Sequence, residues 1–295
     1  MTETGGGARV ENVLKDKKAN EAAAQRPIAC AAGRNRRKAG SVMPVQIAVI
    51  VGVLVSWQYA VEQGWVSAFL VGAPAGIYEQ LLARVKSGAL VEDAWVTLLE
   101  ALAGFVIGNV AGAVAGLGLW YSAYVTRVVA PFIVALNSVP KIAFAPIIIL
   151  WVGTGIASKI TLAVFTTSII ALIATYQAAK DVDSDLQALM WTLGATKNQV
   201  FFKVVVPATL PAIIAAFRIT LGFSLTGAIV GEFITSSHGL GYMIATASGL
   251  YDLNTVWAGL FTLMAVGFGL FHIVDWLERR LLPWKQPTAN GNLAA

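Results

Sequence analysis

Four stretches of this chain, residues 39–61, 101–126, 160–179 and 253–274, carry no formal charge. Two more, 128–158 and 204–231, carry one each, Lys141 and Arg218. The hydrocarbon core of a bilayer needs about 20 predominantly apolar residues to be crossed by a helix. A lipid-exposed backbone must satisfy its hydrogen bonds within the segment or in a closed barrel. Barrel strands alternate apolar and polar residues over roughly ten positions, and these runs are continuously apolar. The chain therefore reads as an all-α polytopic membrane protein of about six transmembrane helices. They are expected near 43–61, 98–120, 128–151, 158–177, 208–232 and 254–277. The 295 residues are 57% hydrophobic and 13% charged, against about 25% charged in a soluble domain.

The net charge of +5 has a local origin. Residues 1–40 hold nine Lys and Arg against four Asp and Glu, and the remainder is balanced at twelve each. That stretch reads as a disordered basic cytoplasmic tail, with Arg34, Arg36, Arg37 and Lys38 ahead of the first span. Positive residues stay on the cytoplasmic side, so six spans leave the C-terminal segment 285–295 inside as well. The same rule puts the 183–207 loop inside and the long 62–97 loop outside. Lys159 is the one misplaced charge and is expected to snorkel to the interface. Trp57, Trp120, Tyr124, Trp151, Tyr176 and Trp276 fall near the span ends, where amphipathic rings settle. The single cysteine, Cys30, permits no intrachain disulfide and no thiolate metal site. His238 and His272 lack ligand spacing, so no metal site and no catalytic group is expected.

Two features bear on packing. Gly104, Gly108, Gly112 and Gly116 recur every fourth residue and form one flat stripe, of the kind that lets membrane helices approach closely. The stripe fits packing within the bundle, or a subunit interface. In the outer loop, Ile77, Leu81, Leu82 and Val85 recur at helical spacing after Pro74. They predict a short helix, either interfacial or folded on the bundle as a lid.

The 183–207 loop is unusually ordered for a connector. Leu186, Leu189, Met190 and Leu193 stand at i, i+3, i+4 and i+7, one apolar stripe. Asp183, Ser184 and Asp185 suit a helix start. Gly194 breaks that helix. A second follows, with Val200, Phe201 and Val204 apolar, and Pro207 and Pro211 are expected to restart a helix at the fifth span. Two short helices at an angle make a knob that fits a partner's groove; an interfacial helix on lipid headgroups has a similar pattern.

The segment resembles the EAA loop of ABC-importer permeases: EAA, three residues, Gly, nine residues, then I-x-L-P. Gly194 takes the glycine and Val204-Val205-Val206-Pro207 the closing motif. Ala188-Leu189-Met190 falls on EAA, so the acidic residue is absent. The resemblance runs from about residue 70 to 284. Pro140-Lys141-Ile142-Ala143-Phe144-Ala145-Pro146, Leu150-Trp151-Val152-Gly153-Thr154-Gly155, Leu193-Gly194-Ala195, Arg218-Ile219-Thr220-Leu221-Gly222, Glu232 and Gly239-Leu240-Gly241-Tyr242 are similar to the nitrate/sulfonate/taurine-type permeases. The resemblance implies a MetI-like ABC-importer permease fold in the bacterial inner membrane. It implies a homodimer enclosing the pathway and ABC ATPase subunits seated on the loops. It also implies a periplasmic or lipid-anchored solute-binding protein, with nitrate, sulfonate, taurine or a pyrimidine precursor as candidate solutes. The contacts to the ATPase would come from Leu186, Ala188, Leu189, Met190, Leu193, Gly194, Ala195, Val204 and Pro207.

The chain has no G-x-x-x-x-G-K-[ST] phosphate loop, so ATP and magnesium are expected on a separate chain and no cofactor on this one. No nucleic-acid partner is expected. Charges within spans point to function by default. Asn137, Ser138 and Lys141 lie where Pro140 should break and restart the third span, offering free N–H groups and a cation to an anionic solute. Arg218 fits either a pairing near the inner face or a role at the gate. Glu232 is expected beside water at the outer end. A gradient-driven carrier is the rival reading; such carriers usually show internal repeats, and none is evident.

Overall fold

The computed structural model describes residues 42–283. The readings of a disordered basic tail over 1–40, of Cys30 and of a C-terminal tail over 285–295 lie outside the described residues. The chain divides into two compact units between Gly52 and Val53. Of the first, residues 42–52 are helical, with exposed apolar side chains over 43–51.

The helices in chain order are α1 (Val42–Glu62), α2 (Ala68–Val71), α3 (Pro74–Ser87), α4 (Ala89–Tyr121) and α5 (Ala123–Ser138). A 3-10 turn (Lys141–Phe144) leads into α6 (Ala145–Val152) and α7 (Ile156–Lys180). Then come α8 (Ser184–Thr192), α9 (Lys197–Val200), a π segment (Phe201–Val205), α10 (Val206–Thr235), α11 (Leu240–Gly249) and α12 (Leu253–Leu281). Among the described residues, five continuous helical stretches are long and apolar enough to span a bilayer, and a bent pair makes a sixth. The expected architecture, all-α with about six spans, is the observed one.

The bent pair is the third span, broken where Pro140 is expected to break it. Residues 128–151 are not one rod: the chain turns by 95° between α5 and the Lys141–Phe144 turn with α6. Pro140 donates no backbone hydrogen bond and disfavours helical geometry in the residue before it. Val139 is accordingly extended, at φ −81° and ψ 134°.

The fifth span differs in the opposite sense. Pro207 and Pro211 restart nothing, because Lys197–Thr235 runs as one helical stretch. A proline ring clashes with the carbonyl four residues earlier. The π segment just before Pro207 widens the turn there, and the Val206 N–H donates five residues back to the Phe201 carbonyl.

At the centre, α4, α7 and α10 pack against one another. The glycine stripe of α4 is spent on α7. A Cβ at Gly108 would meet Thr167 Cβ at 2.6 Å, and one at Gly116 would meet the Leu172 carbonyl at 2.7 Å. The subunit-interface reading of the stripe therefore falls, since the glycines bring backbones together inside one chain. Gly227 of α10 does the same against α7, where an added Cβ would stand 2.7 Å from Ala163 Cα. Hydroxyls and an amide cross the seams. Ser224 Oγ donates to the Ala101 carbonyl at 2.6 Å, Thr166 Oγ1 to the Phe223 carbonyl at 3.0 Å, and Thr220 Oγ1 to Asn109 Oδ1 at 3.0 Å.

On the flank, Ile77, Leu90, Leu240, Met243 and Ala258 make one buried cluster that ties α3, α4, α11 and α12. Ile77 is buried and Leu81 partly so, whereas Leu82 and Val85 face outward. The short helix expected in the 62–97 loop is thus folded onto the bundle.

Candidate functional site

The segment after α7 is built as an anchored knob. Asp183 accepts the Asp185 N–H at 2.8 Å and starts α8. Gly194 ends it with φ 78°, a left-handed conformation that glycine adopts without penalty. The Ala195 N–H returns to the Met190 carbonyl and the Gly194 N–H to that of Trp191, both at 3.0 Å, closing a Schellman-type cap. Thr196 and Gln199 then form a reciprocal capping box at the start of α9.

The apolar residues of this segment divide between two jobs. Val200 and Val205 are fully buried, and with Ala179 and Val182 they form a cluster against which Met190, Ala195, Phe201, Val204, Leu117 and Trp120 pack. Phe201 stacks on Trp120 with ring centres 5.6 Å apart, and Tyr121 donates to Asn198 Oδ1 at 2.6 Å. These contacts weld the knob to the ends of α4 and α7. Leu186, Leu189 and Leu193 instead stay 49%, 56% and 73% exposed, and Ala188, Gly194 and Pro207 are exposed with them. The predicted stripe is therefore split: Met190, Ala195 and Val204 hold the knob, and the leucines face out. Trp191 and Phe202 are exposed too. Sequence periodicity missed both because they lie off the stripe.

At the break between α5 and α6, the Lys141 ammonium turns back on the preceding turn. It donates to Asn137 Oδ1 at 3.1 Å and to the Asn137 carbonyl at 3.3 Å. Ser138 Oγ donates to the Val134 carbonyl at 2.9 Å. The structure brings exposed Asn137 and half-buried Lys141 together. Arg218 lies elsewhere, on α10, where it faces two carboxylates of α12: it is paired with Asp275 and, through Nε, with Glu278 at 2.9 Å.

Glu232 corrects the expectation of a wet outer end. Its side chain is 1% exposed. It accepts from Thr97 Oγ1 at 2.7 Å and from the Gly241 N–H at 2.6 Å. Asp93 takes the Gly239 N–H and Thr97 Oγ1 the Leu240 N–H, both at 2.9 Å. Three successive amides before and within α11 are thereby satisfied by side chains of α4 and α10, the requirement of any buried helix start. Lys159, expected to snorkel, is instead buried beside Glu100, with Nζ 3.1 Å from Oε1. The three charges of the candidate pathway set, Lys141, Arg218 and Glu232, thus occupy separate places, and only Asn137, Ser138 and Lys141 are neighbours.

Sequence and structure comparisons agree with this geometry. Residues 108–283 match the family model described as binding-protein-dependent transport system inner membrane component. The chain is 32% identical over 226 residues to the formylaminopyrimidine transport permease protein ThiX of Halalkalibacterium halodurans, covering 75% of this chain and 90% of that one. It is 32% identical over 243 residues to the riboflavin transport system permease protein RibX of Chloroflexus aurantiacus, covering 82% and 90%. It is also 32% identical over 238 residues to the putative aliphatic sulfonates transport permease protein SsuC of Bacillus subtilis, covering 81% and 85%. A solved structure of the MetNI methionine ABC transporter, in inward-facing conformations, shares the fold. Its TM-score is 0.58 at 20% identity, over 67% of this chain and 96% of that one. The spans, the buttressed knob and the matched stretch from the glycine stripe to the end of α12 converge: this chain belongs to the binding-protein-dependent inner-membrane components, the permease subunits of ABC importers.

Proposed function

We propose that this permease forms the pathway for a small anionic solute of the nitrate, sulfonate or taurine class, and that its 183–207 knob seats in a cleft of a separate ATPase. The observation that carries the coupling half is the division of the knob: one apolar face is buried on α4 and α7, while Leu186, Leu189 and Leu193 stay exposed. A face of leucines is costly to leave in water and gains by entering a groove. The reading makes the knob end cytoplasmic and both termini with it. A second copy of the chain closes the pathway, and a solute-binding protein delivers the solute to the opposite end. ATP and magnesium belong to the partner chain. Closure of the ATPase dimer would then swing the spans as rigid bodies.

Two observations support the anion. Lys141 stands half-buried at the break between α5 and α6, and an aliphatic-sulfonate permease is among the relatives. A pyrimidine-precursor solute is the second reading, favoured by the likeness to a formylaminopyrimidine permease. The test is reconstitution in vesicles with the cognate ATPase and binding protein. ATP hydrolysis and uptake should rise with a sulfonate-loaded binding protein. A complex stimulated only by a pyrimidine ligand would replace the anion reading, and one stimulated by no loaded binding protein would remove the coupling reading.

A further inference from the structure

The most deeply buried charges among the described residues lie at the end opposite the knob. Glu100 of α4, Lys159 of α7 and Glu232 of α10 are 0%, 7% and 1% exposed. Besides facing Glu100, Lys159 Nζ donates to Ser236 Oγ at 2.7 Å. Ser236 follows the last residue of α10, and Gly241 is the second residue of α11. Side chains from all three central helices therefore converge on one short connection, residues 236–241. Lys159 holds its first residue, Asp93 and Thr97 hold the amides of Gly239 and Leu240, and Glu232 holds Gly241. The carboxyl of Glu232 leaves no space for a side chain at Gly241, where a Cβ would sit 2.7 Å from Oε2.

Packing alone does not call for these charges. The glycine stripe already joins α4 to α7, and Gly227 joins α10 to α7. Replacing a buried ion pair by apolar groups of similar volume is often neutral or stabilising, whereas breaking one partner is strongly destabilising. Ionisable groups buried within spans are costly and mark function. The position of the cluster gives it one. The helical stretch that begins in the knob at Lys197 continues to Thr235, so Glu232 rides on the same rod as the knob, roughly 50 Å away at about 1.5 Å per residue.

We propose that Lys159 and Glu100 are positioning residues that set the 236–241 connection, so that a displacement of the long helix at the knob is passed to α11 at the far end. Glu232 carries α11 with α10, while Lys159, fixed to α4 by Glu100, holds Ser236 to α7. The connection is then held at both ends, Ser236 on α7 and Gly241 on α10, so a tilt of α10 against α7 turns α11 rather than merely carrying it. This inference rests on the coupling reading given above.

The test uses the reconstituted complex of permease, ATPase and binding protein loaded with a sulfonate. The Glu100→Gln, Lys159→Met double variant removes both charges and leaves an amide to face Glu232. It is expected to assemble and to keep basal ATP hydrolysis, but to lose stimulation by the loaded binding protein about five- to tenfold, the scale of a lost coupling between sites. Lys159→Arg should restore most of the stimulation. Ser236→Ala, which cuts the tie from Lys159 together with the hydroxyl's own bonds to the His238 carbonyl and N–H, should lower stimulation in the same direction with assembly intact. Parental stimulation in an assembled double variant overturns the proposal. So does parental stimulation in Ser236→Ala should the double variant fail to assemble. Absence of stimulation in the parent complex is a different result: it removes the coupling reading itself, and this inference with it.

Discussion

Glu232 Oε2 accepts the backbone N–H of Gly241 at 2.6 Å, and a Cβ on Gly241 would stand 2.7 Å from that same oxygen. The glycine is thus required by the carboxylate it binds. The Ile229 carbonyl, 2.9 Å from the added atom, closes the other side. Overpacking of a filled interior costs about 1–3 kcal/mol. Gly241→Ala should therefore lower the melting temperature of the purified permease and speed hydrogen exchange at the start of α11. Gly249→Ala, in the same helix with nothing within 4 Å of an added Cβ, is the control and should change little. Equal melting temperatures for the two variants would show that the carboxylate moves aside.

The glycines of α4 separate by the same test. At Gly112 an added Cβ would lie 2.6 Å from Ala171 Cβ and 2.9 Å from the Leu172 backbone nitrogen. At Gly118, beyond the stripe but in the same helix, nothing lies within 4 Å. Gly112→Ala is expected to destabilise by about 1–3 kcal/mol. Gly118→Ala should be neutral or stabilise by about 0.5–1 kcal/mol, since alanine loses less backbone freedom in a helix. Thermal unfolding in one detergent, with both variants beside the parent, reads the difference in sign.

Much of this architecture was legible from residue pattern. The charge-free run 253–274 lies within α12, Leu253–Leu281, and the Gly194 turn fell where the stripe ended. Local chemistry decides both. The bend at Pro140 was legible for the same reason, though its 95° angle was not. What stayed hidden depends on partners far apart in the chain. Lys159 looked like a snorkelling lysine because Glu100, its partner, lies near the start of another span. Glu232 looked wet because no local pattern reveals that Thr97 and Gly241 wrap it. The knob shows both cases at once. Its helices were readable, but which face turns outward was fixed by Val182 of the preceding turn and by Leu117 and Trp120 of α4.

The exposed leucines make a prediction about coupling. Leu193 is 73% exposed and Leu189 56%, so Leu193→Asp or Leu189→Asp removes no buried contact within the chain. Surface substitutions of this kind change stability within about 0.5 kcal/mol. Each variant should melt with the parent yet bind the ATPase weakly and lose ATP-driven uptake. Gly194→Pro should uncouple as well, with a cost in fold, because proline cannot take φ 78° and lacks the N–H that caps Trp191. Parental uptake by Leu193→Asp at normal assembly would place the ATPase contact elsewhere on the knob.

Lys141 separates the two solute readings. It is half-buried and its ammonium is bonded only to Asn137 among the described residues, so Lys141→Met, which keeps the apolar stem, costs little stability. Passage of an anion gains from a cation at the break, and passage of a neutral pyrimidine does not. Uptake of a sulfonate should fall several-fold in Lys141→Met, and Lys141→Arg should retain it. Unchanged sulfonate uptake in the methionine variant would sever the lysine from the pathway.

Arg218 makes the last prediction, because its two partners are not equivalent. Its guanidinium is paired with Asp275 and donates through Nε to Glu278 at 2.9 Å. Asp275 has a second cation, Arg279, at 2.8 Å one turn along α12. Arg218 is 40% exposed, and ion pairs so open to solvent contribute about 0–1 kcal/mol each. Asp275→Asn therefore leaves Arg218 held by Glu278 and should cost under about 1 kcal/mol. Arg218→Met removes the cation from both carboxylates and strips the contact with the Phe271 ring, 5.7 Å away, so it should cost more. Arg218→Lys should fall between them, since a point-charge ammonium does not reproduce the planar fork that reaches two acids at once. Thermal unfolding of the three variants should rank Arg218→Met as least stable, then Arg218→Lys, then Asp275→Asn. An Asp275→Asn variant as unstable as Arg218→Met would mean that Asp275, and not the fork, ties α10 to α12.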